Sequence, residues 1–73
     1  MTKKSLQNKL KVYRAMEDWT QEELARRVQV TRKTINTIEN GKFIPSAYLA
    51  LKIAKAFGVT VEDVFQLDDT EMG

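Results

Sequence analysis

Between Thr31 and Gly41 the sequence reads TRKTINTIENG, and its polar residues recur at helical spacing. Lys33, Asn36, Thr37 and Asn40 stand at i, i+3, i+4 and i+7, one face of a helix, with Arg32 on the edge of that face. Hydrogen bonding is the chemistry such a face can do. Arg or Lys can donate to guanine O6 and N7, Asn can pair with adenine N6 and N7, and Thr offers a hydroxyl and a methyl suited to thymine. A solvated helix face usually mixes both charge signs, whereas none of these five residues is acidic. Arg32, Lys33, Asn36 and Thr37 are therefore the candidate base-contacting residues. Thr34, beside them, is placed to reach a phosphate or nothing.

Two helix starts eleven residues apart would position that face. Thr20 precedes a helical pattern as its cap, Glu23 follows at the capping-box position, and Trp19 with Leu24 can close a hydrophobic staple. Thr31 repeats the cap, with Val30 and Ile35 as the staple pair and Thr34 in place of the capping-box acid. Two short helices joined by a three- or four-residue turn make a helix-turn-helix, which can present its second helix to a DNA groove.

The pattern is helical along the whole chain, with no alternating β-branched run. Helix 1 is expected over Ser5 to Glu17, with Leu6, Leu10 and Tyr13 on one face and Asp18 as the turn residue. Helix 2 should run from Gln21 to Val28 and bury Leu24, Ala25 and Val28. Helix 3 should run from Arg32 to Asn40, bury Ile35 and Ile38, and stop at Gly41. After a loop through Pro45, Ser46 caps helix 4, Ala47 to Phe57, which Gly58 ends. Thr60 caps helix 5, Val61 to Phe65, with Asp63 in its first turn and Val59 with Val64 as a staple. The expected fold is all-α, a compact five-helix bundle forming one domain over residues 1–67, followed by a short acidic tail, 68–73.

Seventy-three residues give one small core, and the absence of cysteine and histidine removes disulfides, thiolate sites and the commonest zinc ligand. Dimerisation is the remaining simple source of burial. Leu51, Val61, Val64, Phe65 and Leu67 supply more apolar surface than one small core uses, so they are the expected two-fold interface, with Leu49 and Val59 able to contribute. The net charge of +2 is weak, but its distribution is not. Residues 1–42 carry ten Lys or Arg against five Asp or Glu, and residues 43–73 carry two against five. The basic half contains the candidate reading helix, as an electrostatic footprint on phosphate requires.

No apolar run suits a signal peptide or a membrane span, so a cytoplasmic protein is expected. Catalysis fails on inventory. The only serines are Ser5 and Ser46, the pairs Glu22–Glu23 and Glu62–Asp63 serve helix starts, and no glycine-rich loop could cradle a phosphate. No catalytic residue, cofactor, metal or small-molecule ligand is expected.

The run Leu10-Lys11-x-x-Arg14, then TQEELA, TRKTINTIENGK, P-S, LALKIAKAFGV and EDVF, resembles the Cro/phage-repressor (XRE) helix-turn-helix proteins over about residues 8–67, especially the small stand-alone regulators. The resemblance implies a lambda-repressor-like fold, helix 3 in the major groove, and a homodimer on a two-fold symmetric operator. It implies that the Gln21 amide and the start of helix 2 hold a phosphate, with a secondary contact from Thr20. It implies that the turn Asn40-Gly41-Lys42 offers backbone N–H groups and a lysine to phosphate, and that Arg14 and Glu39 form a structural ion pair. Phe43 can be core or a loop contact.

Three residues depart from the family pattern: Asp18 and Gln29 stand where glycine is common, and Lys33 where glutamine is common. A non-glycine residue at positive φ costs about 1 kcal/mol. The expected function is sequence-specific double-stranded DNA binding by a homodimeric transcriptional regulator, a repressor. The alternative is an antitoxin or partner-binding adaptor whose DNA binding is secondary.

Overall fold

The computed structural model describes residues 6–67, so the expected acidic tail, 68–73, lies outside the described residues. Five helices run in order: α1 Leu10–Glu17, α2 Gln21–Val28, α3 Arg32–Glu39, α4 Ala47–Phe57 and α5 Val61–Val64. Thr20, Thr31, Ser46 and Thr60 each cap a helix by accepting a backbone N–H with the side-chain oxygen. At α5 the capping box is complete, because the Asp63 carboxylate also accepts the Thr60 N–H. At α2 it is not. Glu23 turns instead to Arg26 and Arg27, at 2.6 and 2.7 Å.

The all-helical expectation needs one correction. Leu6–Asn8 is a strand, β1, paired antiparallel with β2, Phe65–Leu67, in the register Leu6 to Leu67, Gln7 to Gln66 and Asn8 to Phe65. Helix α1 therefore starts at Leu10 rather than Ser5, and α5 stops one residue short of Phe65. Asn8 supplies the local reason for the late start. Its Oδ1 accepts the Leu10 N–H at 3.1 Å, and its Nδ2 donates to the Ile38 carbonyl at 2.9 Å. A short polar side chain bonded in this way competes with helix propagation through its own position.

The core takes at least one side chain from every helix: Leu10, Leu24, Val28, Ile35, Ile38, Ile53 and Val64 are completely enclosed. Each such side chain contributes about 1.5–3 kcal/mol by leaving water. The Phe57 ring lies 5.4 Å from both Tyr13 and Trp19, and the Arg27 guanidinium sits 4.1 Å over the Trp19 ring. This stack ties α1 and α2 to the end of α4. Asp18 and Gln29 end α1 and α2 in the left-handed region, at φ 61° and 62°, where an L residue is strained.

Val64 and Phe65 correct the expected interface. Both lie in this chain's own core, 0% and 7% exposed, as does Leu49. The strand pairing turns Phe65 inward, so its surface is already covered. Leu51 and Leu67 remain exposed, and Val61 is half-buried.

Candidate nucleic-acid interface

Helix α3 packs Ile35 and Ile38 inward and leaves Arg32, Lys33 and Asn36 exposed on the opposite side. This follows from the 3.6-residue period, since the apolar pair is three residues apart and the polar set occupies the remaining arc. Arg32, Lys33 and Asn36 line one shallow depression. Lys33, Thr34, Thr37, Lys42 and Phe43 line a second. A third groove, between the start of α2 and the start of α3, is lined by Arg14, Thr20, Gln21, Glu22 and Arg32. Eight of the nine expected DNA-contacting residues thus border one of three grooves around α3. Asn40 lies off them, exposed at the C-terminal cap of α3.

Arg14 and Glu39 anchor this surface. Arg14 Nε donates to Glu39 Oε2 at 2.6 Å and Nη2 donates to Oε1 at 3.2 Å, with side-chain exposures of 15% and 7%. Arg14 Nη1 also donates to the Trp19 carbonyl at 2.8 Å. A two-point guanidinium–carboxylate contact fixes orientation as well as distance. It therefore holds the last turn of α3 against α1 and the α1–α2 turn.

Gln21 extends that network. Its Nε2 donates to Glu39 Oε1 at 3.1 Å and to Asn36 Oδ1 at 3.2 Å, so both amide hydrogens are used within the protein. The phosphate contact implied for the Gln21 amide side chain does not match this arrangement. A phosphate here would meet the backbone N–H groups at the start of α2, where the helix dipole is positive. Glu22 also lines this groove and opposes an anion there.

Thr37 differs from expectation as well. Its Oγ1 lies 2.9 Å from the Thr34 carbonyl and 3.1 Å from that of Lys33, so the hydroxyl hydrogen goes to the backbone. What Thr37 can show a base is a methyl and an oxygen lone pair. Phe43, which the sequence left undecided, is half-exposed beside Lys42 and belongs to the surface.

Charge on this surface is smaller than the sequence sum suggests. Arg26 and Arg27 pair with Glu23, and Arg14 pairs with Glu39. Burial pushes the Glu23 carboxyl up, but hydrogen bonds and charge from the two arginines outweigh it and hold the group below its ordinary value. Arg32, Lys33 and Lys42 have no salt bridge among the described residues, and all three border α3's outer face. Among the described residues no cluster of three or more His, Cys, Asp or Glu could hold a metal, and no helix is long and apolar enough to cross a membrane.

The helix-turn-helix family model matches residues 10–64, from the first residue of α1 to the last of α5. The chain belongs to the helix-turn-helix family, of the Cro/phage-repressor (XRE) type. This regulator is 54% identical over 66 residues to an uncharacterized HTH-type transcriptional regulator of Methanocaldococcus jannaschii, covering 90% of this chain and 100% of that one. Among solved structures it is similar to the clp gene regulator ClgR of Corynebacterium glutamicum, at 30% identity and TM-score 0.69. It is also similar to the SOS-response transcriptional repressor LexA of Eubacterium rectale, at 31% identity and TM-score 0.70. Each likeness covers 74% of this chain and 57% of the other. The regulator is a DNA-binding helix-turn-helix protein of transcription.

Proposed function

We infer that this regulator is a homodimeric repressor, acting in the cytoplasm, that inserts α3 into the major groove at each half of a two-fold symmetric operator. The single observation that carries the reading is the outer face of α3. It presents Arg32, Lys33 and Asn36 together, bears no acid, and is held from behind by the partly buried Arg14–Glu39 contact. Arg32, Lys33, Asn36 and Thr37 read base edges, while Thr20, Thr34, Asn40, Lys42 and the backbone at Gln21 meet phosphates. Phosphate contacts set position and register, and base contacts set sequence.

Leu51 and Val61 face the second copy from a common groove between α4 and α5, and Leu67 adds to the same association. Repression follows from occupying promoter DNA, a reading supported by likeness to a solved repressor. Selecting bound sites from random duplex DNA and then titrating salt tests the proposal. An inverted-repeat site is expected, with log affinity falling by about 0.9 per neutralised phosphate against log salt. Selection of no sequence, or a flat salt response, would overturn it.

A further inference from the structure

The groove between α4 and α5 carries charge as well as apolar surface. Leu51 and Val61 offer the apolar part, with Lys55 on the α4 wall and Glu62 on the α5 wall. Lys55 and Glu62 are exposed, and neither forms a salt bridge among the described residues. Their charged neighbours along the two helices are committed elsewhere. Lys52 Nζ donates to Gln29 Oε1 at 2.9 Å and lies 5.2 Å from the centre of the Tyr48 ring. The Asp63 carboxylate accepts the Thr60 N–H in the capping box. One positive and one negative group are therefore left on the two walls of a single apolar groove.

A two-fold contact joins the same patch of both copies, so residue i of one meets residue j of the other, and j meets i. The position of the axis decides which residues those are. An axis over the α4 wall sets Lys55 against its own copy, and one over the α5 wall sets Glu62 against its own copy. Like charges brought together in this way oppose association. An axis between the walls brings Lys55 of each copy to Glu62 of the other, and Leu51 to Val61 in the same step. We propose that the groove takes a second copy of this chain in this one orientation, through two reciprocal Lys55–Glu62 ion pairs around the Leu51–Val61 contact. This rests on the homodimer reading and deepens it to the residues that choose the partner.

Charge reversal in the full chain, read by sedimentation equilibrium, tests the proposal. Wild type should be a dimer. Lys55→Glu and Glu62→Lys should each be monomeric where wild type is dimeric. Two like-charge contacts per dimer should raise the dissociation constant on the order of 100-fold or more. Mixed in equal amounts, the two variants should dimerise, because the acids of one chain then meet the lysines of the other at both contacts. Lys55→Glu with Glu62→Lys in one chain should dimerise as well. That double variant places both charges against the helix dipoles, so its recovery separates pairing from any loss of folding. An ion pair within one chain would behave differently, since each single variant would keep like charges in its own groove and mixing would restore nothing.

A monomeric wild type overturns the homodimer reading and the proposal together. If either single variant stays as dimeric as wild type, the dimer stands and the ion pair falls. The proposal also falls if both single variants are folded by circular dichroism and monomeric, and their mixture remains so. A double variant that is folded and monomeric overturns it whatever the single variants do, so the test survives a single variant that does not fold.

Discussion

Replacing Glu39 with alanine would leave Arg14 as a partly buried charge without its counterion. In the native arrangement the guanidinium donates twice to that carboxylate and once to the Trp19 carbonyl, with the two side chains 15% and 7% exposed. Glu39→Ala removes two of those three acceptors and one of the two that hold Gln21. Stranding one partner of a buried pair costs about 3–5 kcal/mol, and a partly buried pair such as this one belongs at the lower end, about 3 kcal/mol. A domain of this length has roughly 4–11 kcal/mol in all, at 0.05–0.15 kcal/mol per residue. The variant should therefore lose a large share of its stability. With a urea slope of about 1 kcal/mol per molar, the midpoint should fall by about 3 M. Arg14→Met with Glu39→Leu should cost less than Glu39→Ala, because no uncompensated charge remains. The assay is urea unfolding followed by circular dichroism at one fixed protein concentration, since association would add to apparent stability. A Glu39→Ala midpoint within about 0.5 M of wild type would mean that the pair behaves like an exposed one, and the reasoning from burial would be wrong.

Gln29→Gly should stabilise the protein by up to about 1 kcal/mol in thermal or urea unfolding, because it relieves a positive φ; an unchanged or lower midpoint would count against strain there. Asn8→Ala should cost about 1–2 kcal/mol through loss of its bonds to Leu10 and Ile38, and a change below about 0.3 kcal/mol would show that the strand stands without them. Leu51→Glu should shift sedimentation to the monomer and weaken operator binding, while a persistent dimer would place the two-fold contact elsewhere.

The legible parts of the sequence were those decided over a few neighbouring residues. Helices α2 and α4 fall where a capping hydroxyl precedes an apolar stripe, and their bounds match the expectation. Asp18 and Gln29 take the left-handed backbone because the turns require it whichever residue stands there. The β1–β2 ribbon was not legible. Each strand is three residues long, and Leu6, Leu10 and Tyr13 fit a helical face by spacing alone. Asn8, a residue that favours caps, was the one local signal against extending α1 to Ser5. The site was legible as a set of residue types. Which donors remain available depended on distance in space, through Gln21 meeting Asn36 and Thr37 turning back to its own helix.

The pairing of Leu6 with Leu67 also sets an order of events. Closing a loop of about sixty residues costs about 3.6 kcal/mol in chain entropy. A few ladder hydrogen bonds, at about 0.5–1.5 kcal/mol each, cannot repay that cost before the helices have brought the two segments together. The ribbon is thus the last piece to zip and the first to part. When it parts, Asn8 leaves the Ile38 carbonyl and Lys9 leaves that of Val64, so the loosening reaches the final turn of α3. Any polypeptide attached ahead of residue 6 leaves the domain alongside any attached beyond residue 67. A pull on either would arrive at the same hinge, one hydrogen bond away from the helix that meets DNA.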